Sequence, residues 1–393
     1  MAPLVTGGGV SHPVQGAAAE LAEVELVRVR LPLLVAHQDA HGREEERDLV
    51  LVRVVLDDGT EGWGECSAMS RPTYTSEHTA GAWAVLRDEL VPARLADRLS
   101  SVVGHPMAAA GLLTAEADAH LRRSGRSLAD QLASLHHHPV PLHLTGTGHT
   151  PAAAATVPVA AVVGLLGSTA AVMALVAEHV ASQVALVKLK VTADPDHLAT
   201  VAAVRSSWPN LRLAVDFNGT ADLAALSALA GLDLAYVEQP AGADALVQSA
   251  YFADQTDIPI ALDESVTGPG TLASAVALRA GSVINIKPAR VGGPYAAAGL
   301  IADAANAGLA AFVGGMLETG VGRATAAAVA ALPGCTLPTD LGPSSRYFER
   351  DLTDPVVVDR TGQLEVPTGP GIGRTPDPAR LDEVAVDRVV VAR

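Results

Sequence analysis

Short apolar runs return along the second half of the chain at nearly constant spacing, and this repeat constrains the fold more than any other feature. Successive runs begin 23 to 27 residues apart, and Ala- and Leu-rich segments of helical length separate them. One strand, one helix and two turns fill about that length, so the repeat predicts serial βα units. The runs are residues 159–163, 185–189, 211–215, 234–237, 258–262, 283–286 and 310–313.

Serial βα units form either a doubly wound open sheet or a closed barrel. Seven clear runs and a weak eighth run at residues 335–339 favour the barrel, whose usual size is ~250 residues. We therefore predict an α/β protein with a modified TIM-type (β/α) barrel of seven to eight units at residues 149–345.

The first third of the chain has a different character. Extended runs on both sides of Asp57-Asp58-Gly59-Thr60 predict a β meander, and a Pro-, His- and Gly-rich stretch ending at residue 151 indicates a linker. We expect residues 21–148 to form a separate α+β domain. The Gly/Ala-rich residues 1–20 are expected to be a flexible tail.

Polar residues stand at the ends of five consecutive apolar runs. They are Lys188 and Lys190, Asp216 and Asn218, Glu238, Asp263 and Glu264, and Asn285 and Lys287. The carboxyl ends of barrel strands all open on one face, so these side chains are expected to converge on a single pocket. One charged residue after a strand is usually a solvated loop residue, but five successive cases are not explained in that way.

Three of the carboxylates and two of the lysines in the polar set have distinct expected roles. Asp216, Glu238 and Asp263 come from neighbouring units, and a cluster of carboxylate oxygens suits Mg²⁺. Zinc is disfavoured because neither His nor Cys occurs at these positions. Lys190 and Lys287 come from the second and sixth units, roughly across the barrel, so a substrate between them would meet an amine on each side.

The charge of the chain argues against several classes of partner. Its 43 acidic and 27 basic residues give a formal charge of −16, which repels nucleic acid and anionic membrane surfaces. The two cysteines, Cys66 and Cys335, and the absence of a signal-like start favour a reducing, cytoplasmic location. The uncharged residues 151–177 are interrupted by proline and glycine, so we do not expect a membrane helix there.

A series of motifs carries a resemblance that covers the chain from about Glu23 to its end. The motifs are Lys188-Leu189-Lys190, Val215-Asp216-Phe217-Asn218, Val237-Glu238-Gln239-Pro240, Leu262-Asp263-Glu264-Ser265, Asn285-Ile286-Lys287-Pro288, Gly314-Gly315-Met316-Leu317-Glu318-Thr319-Gly320, Gly62-Trp63-Gly64-Glu65-Cys66 and Pro367-Thr368-Gly369-Pro370-Gly371. Taken together along the chain, they resemble the motifs of the enolase superfamily. Within it, the chain is most similar to the muconate-cycloisomerase-like group, in particular o-succinylbenzoate synthases and N-acylamino acid racemases.

The resemblance implies a role for each strand-end residue. Asp216, Glu238 and Asp263 would bind Mg²⁺, or Mn²⁺ in its place, and Lys190 and Lys287 would be the acid/base pair. Residues 346–393 would return to residues 21–148 and complete a capping domain over the barrel mouth. The implied partners are a small carboxylate substrate and further copies of the chain in a homo-oligomer.

The implied chemistry is removal of the proton alpha to a carboxylate, through an enediolate. Lysine in water has a pKa of ~10.4, so the ion and the companion Lys188 would have to lower the pKa of Lys190. A proton returned by Lys287 gives racemisation, whereas loss of a β-hydroxyl gives dehydration, the o-succinylbenzoate synthase reaction. Dipeptide epimerisation and muconate-type cycloisomerisation use the same machinery, and a non-catalytic scaffold is the alternative of another class.

Other side chains are expected around the substrate and the ligands. We expect Asn218 and Glu264 to contact the ligand carboxylates without binding the ion. The loop at residues 36–42 departs from the sequence usual in the family, so the substrate is the least determined part of the prediction. Candidate substrate contacts are His37, His41, Tyr74, Gly315 and Met316.

Overall fold

The computed structural model describes residues 20–39, 42–135 and 153–393. Its strands are β1 Leu21–Asp39, β2 Gly42–Leu56, β3 Glu61–Cys66, β4 Thr156–Pro158, β5 Ala160–Val163, β6 Leu186–Lys190, β7 Leu213–Asp216, β8 Val237–Glu238, β9 Ile260–Leu262, β10 Val283–Ile286, β11 Ala310–Val313, β12 Gln363–Glu365 and β13 Ala385–Ala392. Its α-helices are α1 Thr79–Val85, α2 Val91–Leu95, α3 Pro106–Ser124, α4 Leu128–Leu135, α5 Thr169–Ala181, α6 Pro195–Ser207, α7 Leu223–Ala228, α8 Leu246–Gln255, α9 Pro269–Leu278, α10 Pro294–Asn306, α11 Gly320–Ala330 and α12 Pro378–Val384. A π-helical turn, Leu86–Leu90, joins α1 to α2, and Ser344–Arg346 forms a 3₁₀ turn.

The N-terminal part contains an antiparallel sheet of four strands in the order β13-β1-β2-β3. The edge strand β13 comes from the C-terminal end of the chain and pairs with β1, where Val24 lies opposite Val391. The sheet packs on α3 through glycine, since a Cβ on Gly64 would lie 2.0 Å from the carbonyl oxygen of Gly111. The Gly-Trp-Gly motif of β3 thus lets a helix approach a strand closely and builds the domain that covers the barrel.

The barrel consists of seven parallel strands in the order β11-β10-β9-β8-β7-β6-β5, each followed by a helix. The eighth unit is a short irregular segment that links the two edge strands. Cys335 forms an isolated β-bridge with Ala311 of β11, and Thr339 forms one with Val159, the residue before β5. The predicted TIM-type barrel with a weak eighth unit is therefore confirmed.

The lower end of the barrel interior is filled by one side chain from each of its seven strands or the residues next to them. The two aromatic members, Tyr236 and Phe312, stack with ring centroids 5.4 Å apart. Lys188 lies above this layer, with Nζ 5.3 Å from the centre of the Phe312 ring. The apolar layer closes the barrel below, so the polar strand ends face the opposite, capped mouth.

Within the described residues, no helix combines the length and the apolar character needed to cross a bilayer. The uncharged stretch after residue 152 folds instead as β4, β5 and α5. The expected flexible tail at residues 1–19, His41 and the linker at residues 136–152 lie outside the described residues.

Candidate active site

The strand-end residues meet at one cavity of about 100 Å³ at the barrel mouth. Lys190, Asp216 and Glu238 are the last residues of β6, β7 and β8, while Asp263 and Lys287 follow β9 and β10 directly. The lining also includes Lys188, Asn218, Tyr74, Gly315 and Met316. The strand-end residues thus line one cavity as expected, except Glu264, which lies behind it and accepts from Asn218.

The side of the cavity at the ends of β6 and β7 is organised around Lys190. Its Nζ donates to Asp216 Oδ2 at 2.9 Å and to Asn218 Oδ1 at 2.6 Å. Asn218 also donates from Nδ2 to Glu264 Oε1 at 3.1 Å, and its backbone N–H donates to Asp216 Oδ1 at 3.0 Å. Burial would raise the pKa of Asp216, but the neighbouring lysines outweigh it and hold that pKa below its ordinary value.

The central carboxylate, Glu238, is held by two donors. Lys188 Nζ lies 2.5 Å from Glu238 Oε2, and Asn285 Nδ2 donates to Glu238 Oε1 at 2.7 Å. Lys188 also lies 2.5 Å from Asp340 Oδ2. Burial would lower the pKa of Lys188, but Asp340 and Glu238 raise it well above its ordinary value. Lys188 is thus a fixed cation between two carboxylates, a contact that its expected role toward Lys190 did not include.

The opposite side of the cavity is organised around Asp263. Lys287 Nζ donates to Asp263 Oδ2 at 2.9 Å and to the Tyr74 hydroxyl oxygen at 2.8 Å. Arg290 donates to Asp263 Oδ1 and, at 2.7 Å, to the Asp263 carbonyl oxygen. Burial would raise the pKa of Asp263, but Arg290 and Lys287 hold it well below its usual range. Burial would likewise lower the pKa of Lys287, and Asp263 raises it well above the ordinary value.

The covering domain contributes Tyr74 and Met69 to the cavity, and the loop after β11 contributes Gly315 and Met316. The Tyr74 hydroxyl contacts both Lys287 Nζ, at 2.8 Å, and Asp263 Oδ2, at 3.5 Å. Met316 is fixed by its backbone N–H, which donates to Glu318 Oε1 at 2.7 Å. The side chain of His37 and the whole of His41 lie outside the described residues.

Several functional contacts were missed from the sequence. Asp340 follows the weak eighth run, so the strand-end rule applied to that run would have found it. Arg290 and Arg346 lie in turns after the strands, and no periodic signal marks them. Gly314 has a local role as well, because a Cβ there would lie 2.4 Å from Asn285 Oδ1 and displace the amide that holds Glu238.

The donor chemistry of the cavity fits a hard divalent cation. Asp216, Glu238 and Asp263 are 1 to 3 % exposed, and all offer oxygen. Burial raises the pKa of Glu238 to about 8; Asp216 and Asp340 add to the rise, and Lys188 opposes it. Across residues 20–39, 42–135 and 153–393, however, no three His, Cys, Asp or Glu side chains are grouped as a metal site. Each of the three carboxylates forms a salt bridge with a lysine instead.

Comparison with known proteins agrees with this geometry. The Enolase C-terminal domain-like family matches residues 171–380. An N-succinylamino acid racemase from an Amycolatopsis species is 37% identical over 94% of this chain and 99% of its own length. An o-succinylbenzoate synthase from Geobacillus stearothermophilus is 32% identical over 91% of this chain and 94% of its own.

The likeness extends to three dimensions. A crystal structure of an enolase superfamily member from Listeria innocua superposes with a TM-score of 0.85 at 28% identity, covering 95% of this chain and all of that one. Fold, polar strand ends and sequence relatives thus agree, and the resemblance seen in the motifs is confirmed. The chain belongs to the Enolase C-terminal domain-like family of the enolase superfamily.

Proposed function

We propose that this protein is an N-succinylamino acid racemase, which removes the proton next to the substrate carboxylate and returns one on the opposite face. The observation that carries the proposal is that Lys190 and Lys287, from the second and sixth barrel strands, line one cavity with three buried carboxylates. The racemase from Amycolatopsis, which aligns over nearly the whole of both chains, supports the choice of substrate.

In this proposal Asp216, Glu238 and Asp263 hold Mg²⁺, the ion that enolase superfamily members generally use, and Mn²⁺ can replace it. A hydrogen beside a carboxylate is a very weak acid, and negative charge develops on the carboxylate oxygens as it leaves. The bound ion supplies positive charge beside those oxygens. Lys188 and Asn285 keep Glu238 oriented, because each donates to one of its two oxygens.

Lys190 and Lys287 exchange protons with the two faces of the substrate. A lysine acts as a base only when it is neutral, and its ordinary pKa of ~10.4 keeps it charged at neutral pH. Asp216 and Asp263 now hold the two ammonium groups as ion pairs. A cation held by these carboxylates would offset their negative charge and so weaken their attraction for the two ammonium groups. One lysine then accepts the α-proton while the other, still protonated, donates.

Dehydration of a β-hydroxy acid to o-succinylbenzoate is the second candidate. It is favoured by the relative from Geobacillus stearothermophilus and by the raised pKa of Lys287, because this reaction needs that lysine only as a cation. Both candidates share proton removal by Lys190 and differ in the fate of the enediolate.

Hydrogen exchange in deuterated water tests the proposal. The protein with Mg²⁺ is incubated with N-succinylphenylalanine, with dipeptides, with muconate and with the hydroxy acid precursor of o-succinylbenzoate. We expect loss of the α-hydrogen signal and racemisation with the first substrate. Turnover of dipeptides alone would indicate an epimerase, and turnover of muconate alone would indicate a cycloisomerase. No turnover of any compound would favour a non-catalytic scaffold.

Metal binding is tested separately, by the melting temperature of the protein with and without Mg²⁺. A ligand that binds the folded state raises that temperature, so wild-type protein is expected to gain stability and Asp263→Asn to gain none. Asp382→Asn is the matched control, because the Asp382 side chain is 69% exposed and does not line the cavity. An equal gain in all three proteins would reject the assigned ligand.

A further inference from the structure

The cavity is lined by a fourth cation, Arg346, which the proposed chemistry does not use. It ends the 3₁₀ turn Ser344–Arg346, and its Nη2 donates to the carbonyl oxygen of Val162 in the first barrel strand, β5. The guanidinium therefore lies on the β5 side of the mouth, next to the lysine side chains of β6.

The other three cations of the lining have carboxylate partners. Lys188 pairs with Glu238 and Asp340, Lys190 with Asp216, and Lys287 with Asp263. Within the described part of the chain, no salt bridge joins Arg346 to a carboxylate, and its described hydrogen bond goes to a neutral carbonyl. In a protein of formal charge −16, a guanidinium kept clear of carboxylates at the mouth of the active site is available to an anion from outside.

The position of Arg346 is fixed by an aromatic ring. Its guanidinium lies 5.6 Å from the centre of the Tyr347 ring, and Arg323 lies 4.6 Å from the same centre. The Tyr347 carbonyl oxygen accepts from the backbone N–H of Leu34, in β1, at 2.8 Å. Arg346 is thus held where the barrel meets the strand that leads into residues 36–42, the segment expected to select the substrate.

We propose that Arg346 binds the second carboxylate of a dicarboxylate substrate, the one remote from the carbon that loses its proton. The inference rests on the proposed function and adds the residue that selects the succinyl group. A planar guanidinium with five N–H donors matches a carboxylate, and one Nη2 bond to Val162 leaves donors for it. The reacting carboxylate then lies between the lysines while the succinyl carboxylate lies on Arg346.

The test compares two substrates that differ at the remote group alone. N-succinylphenylalanine has a carboxylate there, and N-succinamoylphenylalanine has a neutral amide of the same size. For Arg346→Gln we expect kcat/KM with the succinyl substrate to fall about 50-fold, mainly through KM, and to change less than about threefold with the succinamoyl substrate. Arg346→Lys is expected to recover part of the loss, and the exposed Arg360→Gln to behave as wild type.

Each other result has a defined meaning. Equal losses with both substrates would assign Arg346 to support of the Tyr347 region and overturn the proposal, and so would wild-type kinetics in Arg346→Gln. Melting temperatures of the variants show whether they are folded. If wild-type protein exchanges neither substrate, the proposed function fails, and Arg346 is then judged by calorimetric titration of N-succinylphenylalanine. Weaker binding to Arg346→Gln than to wild type sustains the inference, and equal binding ends it.

Discussion

Two regions of this protein bury carboxylates in different ways. At the barrel mouth, Asp216 and Asp263 are bonded to lysine, and Asp263 to arginine as well. At the contact between the covering domain and the barrel, Glu65 is equally buried, at 5% exposure, but it accepts from the Thr319 and Ser67 hydroxyls at 2.5 and 2.8 Å. Buried acids thus meet cationic side chains in the first region and neutral donors in the second.

The difference has electrostatic consequences. The pKa values of Asp216 and Asp263 lie below the ordinary value despite burial, so these groups are ready to bind a cation. Burial raises the pKa of Glu65 to about 7, and the nearby Glu318 adds to the rise. Asp216 and Asp263 are therefore ionised at neutral pH, while the acid between the domains can be neutral and hold structure through hydrogen bonds.

The largest expected effect comes from removing a lysine from the pocket. Lys190→Ala is expected to lower racemisation at least about 1,000-fold, because a positioned acid/base group contributes on this scale, and to leave the protein folded. Lys287→Ala is the matched variant and should lose racemisation equally. In α-hydrogen exchange the two variants should fail on opposite enantiomers. Loss of the same enantiomer in both would contradict the placement of the lysines on two faces.

Arg290 tests whether the pocket carboxylates depend on cations for stability. Arg290→Gln removes a guanidinium that is 1% exposed and leaves Lys287 as the cation paired with Asp263. Breaking a buried ion pair in this way is expected to cost about 3 kcal/mol of unfolding free energy. Chemical denaturation measures it, with the half-exposed Arg350→Gln as control, for which less than about 1 kcal/mol is expected. Equal losses in both variants would remove the distinction between pocket and surface pairs.

The barrel and the convergence of its strand-end residues were predictable, because both follow from the periodicity of the sequence. Strands that recur every 23 to 27 residues define the barrel, and barrel geometry then brings Lys190, Asp216, Glu238, Asp263 and Lys287 together whatever the intervening helices contain. The return of the last strand to β1 was expected from resemblance alone, since no local pattern specifies a pairing between Val24 and Val391.

The contacts that were missed depend on side-chain reach or on irregular backbone. Asp340 follows residues 335–339, which form isolated β-bridges and not a regular strand. Arg290 extends back from a turn to Asp263, and Arg346 lines the cavity from a 3₁₀ turn. Tertiary contacts of this kind leave no periodic trace in the sequence, because long side chains on turns are ordinarily solvated.

Glu65 provides the pH test of the comparison. Its folded pKa of about 7 lies above its ordinary value, so between about pH 4.5 and 7 the folded state binds more protons than the unfolded state. Stability should therefore fall as pH rises through this window, by on the order of 3 kcal/mol from this group. Glu65→Gln cannot ionise and is expected to flatten part of the decline in unfolding free energy.

Part of the decline should persist in that variant. Burial also raises the pKa of Asp118 to about 6 and of Glu77 to about 7, and both groups are still present. Glu365→Gln, at an exposed position, serves as control and should show the wild-type slope. An unchanged slope in Glu65→Gln would mean that Glu65 stays ionised, as Asp216 and Asp263 do.

Asn218 is expected to show the smallest effect, and its backbone allows two contributions to be separated. Its side chain joins Lys190 to Glu264, and its φ of +45° is one that Asn tolerates better than Ala. Both Asn218→Gly and Asn218→Ala lose the side-chain bonds, so each should lower kcat about tenfold. Only the Ala variant carries the backbone strain, and its unfolding free energy should be lower than that of the Gly variant by about 1 kcal/mol. Equal stability with unequal kcat would instead mean that Asn218 acts through the shape of its turn and not through its bond to Lys190.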